Sequence, residues 1–166
     1  MSPDAVRANL ERIRSEVGTD VTIVAATKYV ALENMGVLAA AGVEVVGENR
    51  AQDLERKHAA HGESFRWHFI GHLQSNKAKV VNGLCELVHS LASESAAQRL
   101  SVPALIEVNV SGEPSKSGVT PEELPGLVAA YPGVRGLMTM PPSMGCRSCR
   151  WARRRTTASR SRRAPP

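Results

Sequence analysis

Lys28 stands at the end of a short apolar run, and a lysine in that place can do covalent chemistry. The run covers residues 21–28, is rich in β-branched residues, and is typical of a fully buried strand. We expect the side-chain amine of Lys28 to be partly removed from water, which favours its neutral form. A neutral amine is the nucleophile that forms a Schiff base with an aldehyde. The alternative is a solvated lysine that only ends the strand.

Polar or small residues also follow five later apolar runs. Because parallel strands end at a common edge of a sheet or barrel, we expect these residues to form one cluster with Lys28. An amine, an amide, several hydroxyls and small glycines suit a ring-shaped ligand that carries a phosphate, whereas no grouping has the spacing of metal ligands. The residues concerned are Glu48 and Asn49, Gly71 and His72, His89 and Ser90, Asn109 and Ser111, and Met138 and Thr139.

The apolar pattern alternates between strands and helices along most of the chain. Such alternation predicts an α/β protein with parallel strands and helical crossovers. Two architectures remain open, a doubly wound sheet and a (β/α) barrel. No Gly-x-Gly-x-x-Gly follows the first strand, which argues against a dinucleotide-binding sheet. We predict strands at 21–27, 43–46, 66–70, 87–89, 104–110 and 134–138, and helices at 3–17, 31–41, 49–60, 75–82, 93–100 and 121–130.

Charge divides the 166-residue chain into two parts. The formal net charge is +5, but eight of the 21 basic residues and none of the 16 acidic residues fall in residues 143–166. Residues 1–142 are therefore slightly acidic, and their charge gives no support to nucleic-acid binding. We predict one globular domain at 1–142 and an Arg-rich, disordered tail at 143–166, because the tail has no apolar periodicity.

The rest of the composition favours a cytoplasmic protein. No run of 18 apolar residues is present to span a membrane, and the first residues do not look like a secretory signal. The three cysteines do not suggest a disulfide framework, which fits a reducing compartment. We therefore expect no membrane partner and no specific nucleic-acid partner.

Several motifs together resemble those of the YggS/PROSC-type pyridoxal 5′-phosphate (PLP) homeostasis proteins. They stand in the order of that family and cover roughly residues 1–142, and the segment at 67–77 is the most specific of them. The motifs are Val-Ala-Ala-Thr-Lys at 24–28, Gly-Glu-Asn-Arg-Ala-Gln at 47–52, Trp-His-Phe-Ile-Gly-His-Leu-Gln-Ser-Asn-Lys at 67–77, Asn-Val-Ser at 109–111, Ser-Lys-Ser-Gly at 115–118 and Arg-Gly-Leu-Met at 135–138.

The resemblance implies a fold similar to the barrel domain of alanine racemase, here an incomplete (β/α)8 TIM-type barrel with about six strands. It implies that Lys28 is the Schiff-base lysine, that Asn49 faces the ligand, and that Met138 packs against the ring of PLP. The alternatives are that Asn49 caps the following helix and that Met138 belongs to the core. The family works mainly as a PLP carrier without established turnover, and its implied recipients are PLP-dependent apoenzymes.

Three further residues receive structural interpretations. Glu48 directly precedes the helix at 49–60, where an acid complements the helix dipole, and we assign it that role. His68 lies inside a strand, so we expect a hydrogen-bonded core histidine. Lys116 lies in a loop, where it could meet an anion or a second PLP, but we expect its side chain to be solvated.

The chain departs from the family in two places. Residues 91–103 form a shorter connection than the family has. After residue 142 the family continues with a Ser-x-Gly-Met-Ser loop and an Arg-x-Gly-x-x-x-Phe-Gly segment, which bind the phosphate and the pyridine nitrogen. Ser143 begins a Ser-Met-Gly that is either a remnant of that loop or a chance match, and the second segment is missing. We hypothesise out-of-frame translation after a deletion, with weak PLP binding and marginal stability as its result.

Three functions are compatible with these observations. The first is intracellular PLP homeostasis with PLP held on Lys28, impaired by the loss of the phosphate-binding segment. The second is a PLP-dependent racemase or decarboxylase, and the third is a nucleic-acid-associated protein that acts through its basic tail. We favour the first, because the chain offers no second domain to supply the base that a racemase needs on the opposite face of the ring.

Overall fold

Six parallel strands form the centre of the protein. The computed structural model describes residues 1–140. The strands lie side by side in chain order. A doubly wound sheet reverses its order beside the first strand, so the sequential order excludes that alternative and is the order of a (β/α) barrel. The strands are β1 (Val24–Ala26), β2 (Val45–Glu48), β3 (Arg66–Phe69), β4 (Leu87–Leu91), β5 (Ala104–Glu107) and β6 (Val134–Met138).

Within residues 1–140 the barrel is not closed. β1 pairs only with β2, and β6 pairs only with β5. The prediction of an incomplete barrel with about six strands is therefore confirmed. The tail at 143–166 lies outside the described residues, and its disorder stays a prediction. No helix in the described part of the chain is long and apolar enough to cross a membrane.

Helices precede or connect the strands near their predicted positions. The first helix agrees residue for residue, because both of its ends carry strong signals. The Ser2 hydroxyl accepts a hydrogen bond from the Ala5 amide at 3.4 Å, and Gly18, at φ +86°, ends the helix. The helices are α1 (Pro3–Val17), α2 (Met35–Ala40), α3 (Ala51–His61), α4 (Ala78–Leu84), α5 (Glu94–Ala97) and α6 (Leu124–Ala130).

The core lies between the sheet and its helices. Along each strand the side chains alternate between this outer face and the concave face. The outer face carries Val46, Trp67, Phe69 and Val88, each at most 2% exposed, which join buried helix residues in one cluster. The register places the intervening residues in a row on the concave face: Ala26, Gly47, His68 and Leu87.

β1 differs most from its prediction. The strand has three residues, Val24 and Ala25 are half-buried, and Ala26 is exposed. The cause is its position, because in the described part of the chain β1 is an edge strand whose concave face is open. The prediction of a fully buried strand at 21–27 is wrong, since a β-branched apolar run indicates a strand without indicating what covers it.

Candidate functional site

The C-terminal ends of the strands meet at one edge of the sheet. The ladder continues one residue beyond β1, where the Thr27 amide donates to the Gly47 carbonyl at 3.0 Å. It also continues beyond β5, where the Val108 amide donates to the Met138 carbonyl at 2.9 Å. Lys28, directly after Thr27, therefore lies at the edge that the ends of the other strands share.

The amine of Lys28 is accessible from solution. Lys28 is exposed in the turn after β1, and its Nζ lies 5.0 Å from the ring centroid of Tyr29, within the range of a cation–π contact. The prediction that this side chain is partly removed from water is wrong, because Lys28 follows a strand that pairs on one side only in the described part of the chain. The role of Lys28 in binding stays a prediction.

A buried ion pair stands behind the turn. Lys57 of α3 and Glu48 of β2 are 2% and 0% exposed, and Lys57 Nζ lies 2.5 Å from Glu48 Oε1. The hydroxyl of Thr27 donates to the same carboxylate oxygen at 2.6 Å. Glu48 therefore does not complement the dipole of the next helix from its first turn. That prediction is wrong, because the side chain points into the space between sheet and helices.

The sequence analysis missed Lys57, although the sequence contained a signal for it. The buried positions of α3 are Ala51, Leu54 and Lys57, which recur every three residues along one face. A lysine on the apolar stripe of an amphipathic helix needs a buried acceptor. The nearest acid at the end of a predicted strand is Glu48, which is the residue that the structure shows.

Contacts to backbone carbonyls join the ends of β2, β3 and β4. A Cβ added at Gly71 would lie 2.1 Å from the carbonyl oxygen of Asn49, so only glycine fits where these two loops touch. The Ser90 hydroxyl in turn donates a hydrogen bond to the Gly71 carbonyl. Asn49 is half-buried, and α3 begins without a side-chain cap, so the structure does not support the capping alternative.

The outer members of the predicted cluster are engaged in their own loops. Asn109 accepts hydrogen bonds from the Ser111 hydroxyl at 3.2 Å and the Gly112 amide at 3.1 Å, which shape the loop after β5. Lys116 in the same loop is 16% exposed and pairs with Glu113 at 3.3 Å, so the prediction of a solvated lysine is wrong.

The last two candidate ligand residues lie at and beyond β6. Met138 is half-buried and is paired in register with Glu107 of β5, which places it at the C-terminal end of the sheet. Its contact with a ligand stays a prediction. Ser143 lies outside the described residues, and its proposed part in phosphate binding stays a prediction too.

A histidine pair lies on the concave face, where His68 is in the same register row as Ala26 and Gly47. His68 Nδ1 and His89 Nε2 lie 2.9 Å apart, beside a cavity of about 490 Å³ that Arg66 and Arg135 also line. Burial, then the neighbouring His89 and Arg66, lower the pKa of His68 to about 4, and burial lowers the pKa of His89. The prediction that His68 is buried and hydrogen-bonded is confirmed, but its place in the core is wrong, because the side chain lies on the concave face beside this cavity.

Fold and site together define a class of protein, the α/β proteins built on a (β/α) barrel with a lysine after the first strand. A profile described as alanine racemase, N-terminal domain, matches residues 1–161. A curated relative from Vibrio cholerae, named pyridoxal phosphate homeostasis protein, is 34% identical over 84% of this chain and 68% of its own. The chain therefore belongs to the alanine racemase N-terminal domain family, and within it to the pyridoxal phosphate homeostasis proteins.

Other relatives agree with this assignment. A protein of the same name from Aquifex aeolicus is 42% identical over 61% of this chain, and the matched region spans 51% of that relative. The chain thus matches about half the length of this relative. The solved structure of PipY from Synechococcus elongatus PCC7942 with PLP bound is 29% identical with a TM-score of 0.72, and the match covers 84% of this chain and 72% of that one.

More distant structures share the fold alone. An alanine racemase from Clostridium difficile is 16% identical, with a TM-score of 0.63 over 82% of this chain and 40% of its own. At that identity the likeness extends to the arrangement of strands and helices, and it carries no argument about the reaction.

Proposed function

We propose that this protein binds PLP covalently through Lys28 and serves intracellular PLP homeostasis. The observation that carries the proposal is the position of Lys28, an accessible amine two residues after the end of β1 at the C-terminal edge of the sheet. Ligands of (β/α) barrels bind at that edge. The relatives named for PLP homeostasis and the PLP-bound PipY structure support the choice of ligand.

The residues present fit PLP. The concave face near Lys28 carries the small residues Ala26 and Gly47, and the side chains of Ile70 and Val24 lie over Gly47, 2.9 and 3.2 Å from the position of an added Cβ. The half-buried amide of Asn49 begins the next loop along the edge. An amine, an amide and small residues at one edge are the groups that an aldehyde on a polar aromatic ring requires.

Each residue has a defined task in the proposed binding. PLP supplies an aldehyde and an electron-withdrawing ring. Lys28 would hold PLP through its side-chain amine, which would bond to that aldehyde. Asn49 would offer its side-chain amide to polar groups of the ring, and Met138 would lie against the ring face. Ser143 would donate its hydroxyl to the phosphate.

We propose a carrier and not an enzyme. A racemase or decarboxylase needs groups placed to move protons at the bound substrate. The Tyr131 hydroxyl donates to the Val102 carbonyl, and burial raises the pKa of Tyr131. His68 and His89 are bonded to each other. These engagements support a role in holding PLP and passing it to PLP-dependent apoenzymes.

The proposal places the protein in the cytoplasm. Cys85 is a free, buried thiol, which is compatible with a reducing compartment. A store of PLP is also useful where PLP-dependent enzymes acquire their cofactor.

The test is a titration of the 166-residue protein with PLP. We expect a visible absorption band of a protein-bound Schiff base, and borohydride reduction should then fix the added mass on the peptide that contains Lys28. Lys28→Ala should abolish both signals. Lys79→Ala, which removes another exposed lysine, should leave them unchanged. Equal attachment to Lys28→Ala and to the wild-type protein would contradict the proposal.

A second measurement separates a carrier from an enzyme. The PLP-loaded protein is incubated with amino acids, and racemisation and decarboxylation are followed against an equal concentration of free PLP. We expect no rate above that of free PLP. Turnover that depends on Lys28 would select the racemase or decarboxylase alternative.

A further inference from the structure

We infer that Lys57 is a positioning residue, which holds the peptide group in front of Lys28 and so fixes where the amine of Lys28 is presented. The inference rests on the proposed function of Lys28. Lys57 itself is 2% exposed and touches no ligand, so its effect would pass through the backbone.

The carbonyl oxygen of Thr27 is the atom through which Lys57 holds the turn. Lys57 Nζ donates to this oxygen at 2.7 Å, and the Val30 amide donates to it at 2.8 Å. The carbonyl belongs to the peptide group that contains the Lys28 nitrogen, and a peptide group is planar. Two donors on the oxygen therefore fix the plane from which the Lys28 side chain departs.

The other polar groups of Thr27 are also held. Its amide donates to the Gly47 carbonyl at 3.0 Å, and its hydroxyl donates to Glu48 Oε1 at 2.6 Å. Thr27 is 0% exposed, whereas Lys28 beside it is exposed. The chain thus passes in one residue from a fully bonded, buried position to an accessible one, and the held peptide group sets the direction in which the Lys28 side chain leaves the backbone.

Stability alone does not account for this arrangement. A buried ion pair contributes little to stability compared with well-packed apolar residues of the same size. Glu48 Oε2 is buried and has no hydrogen-bond partner in the described part of the chain, so the network is not optimised for polar satisfaction. The one ammonium group instead joins α3 to the ends of β1 and β2 at the turn that carries Lys28.

The test removes both charges together so that neither is left buried alone. In the double variant Glu48→Gln/Lys57→Met, Gln keeps an acceptor for the Thr27 hydroxyl, while Met cannot donate to the Thr27 carbonyl. We expect PLP attachment at Lys28 to be about tenfold slower, since misplacement of a reacting group by about 1 Å slows reactions by this order or more. The control is Leu127→Ala, which disturbs buried packing in α6 and should leave the attachment rate unchanged.

Amide hydrogen exchange gives a readout that does not need PLP. In the double variant the Val30 amide should exchange about tenfold faster, because its acceptor is no longer fixed, while the Val88 amide in β4 keeps its rate. If the wild-type protein fails to bind PLP, the proposed function fails, and the exchange at Val30 still decides whether Lys57 holds the turn.

A third variant guards against loss of folding in the double variant. Thr27→Val removes the hydroxyl contacts with Glu48 and with the Gly47 carbonyl and keeps the carbonyl that Lys57 holds. We expect the rates of PLP attachment and of Val30 amide exchange to stay within about twofold of the wild-type rates, because the change is uncharged and leaves the carbonyl contact in place. Slowing as large as that predicted for the double variant would overturn the inference, as would wild-type attachment and exchange in the double variant.

Discussion

Acid should destabilise the fold through His68, and the size of the effect can be worked from the structure. Burial, with His89 and Arg66 adding to it and Glu86 opposing it, lowers the pKa of His68 from 6.5 to about 4. The unfolded chain therefore binds a proton first, so stability is full above pH 6.5 and is lost as the pH falls towards 4. One pKa unit is worth about 1.4 kcal/mol, so His68 should account for about 3 kcal/mol.

The geometry of the pair explains the direction of this effect. The nitrogens His68 Nδ1 and His89 Nε2 lie 2.9 Å apart, and one proton between them makes a hydrogen bond. A second proton would set two N–H groups against each other at that distance. Protonation of His68 must therefore break the bond or charge the buried pair.

Urea unfolding above pH 6.5 and near pH 4 measures the loss. His68→Asn keeps a donor or acceptor near the Nδ1 position but cannot titrate, and it should reduce the loss by about 2–3 kcal/mol. His72→Asn replaces an exposed histidine and should lose as much stability as the wild-type protein. If His68→Asn loses as much as both of these proteins, the assignment of the acid sensitivity to the pair is refuted.

Three further predictions concern packing, thiol chemistry and the buried charge. Gly71→Ala places a Cβ 2.1 Å from the Asn49 carbonyl oxygen and should lower the free energy of unfolding by about 1–3 kcal/mol or more. In the control Gly83→Ala the added Cβ meets nothing within 4 Å, and the free energy of unfolding should rise by about 0.5–1 kcal/mol. Thermal melting distinguishes the two. Burial raises the pKa of Cys85 to about 12, so with the other two cysteines replaced by serine a disulfide reagent should react only after urea is added; rapid reaction in the folded state would contradict this. Lys57→Met alone leaves the buried Glu48 carboxylate unpaired and should lower the free energy of unfolding in urea by about 3–5 kcal/mol. The double variant Glu48→Gln/Lys57→Met should lose less. An equal loss in both would show that the pair is not coupled.

The order of elements was predictable because it depends on local signals. The stripe of α1 and its caps at Ser2 and Gly18 fix that helix within the sequence itself. Strands were found from short β-branched runs, and their number and parallel direction follow from alternation with helices. What the pattern could not supply was the strand order, which separates a barrel from a doubly wound sheet and depends on contacts between distant residues.

The site was only partly predictable, because side-chain partners are not written in local sequence. The edge where Lys28 and Met138 lie follows from the rule for parallel strands. The exposure of Lys28 depends on what covers β1, and the burial of Glu48 depends on Lys57, nine residues away on a helix that packs over the strand. Neither the exposure of Lys28 nor the burial of Glu48 can be read from the residue type and its neighbours in the sequence.

The sequential strand order bears on how the chain acquires its shape during synthesis. From β2 onwards, each strand hydrogen-bonds to the strand made just before it. The N-terminal βα units can therefore fold during synthesis, before the later units leave the ribosome. Thr27 and Lys57 are separated by 30 residues. The contact of Lys57 with the Thr27 carbonyl can therefore form in a nascent chain that has emerged only as far as α3, before β3 to β6 have been made.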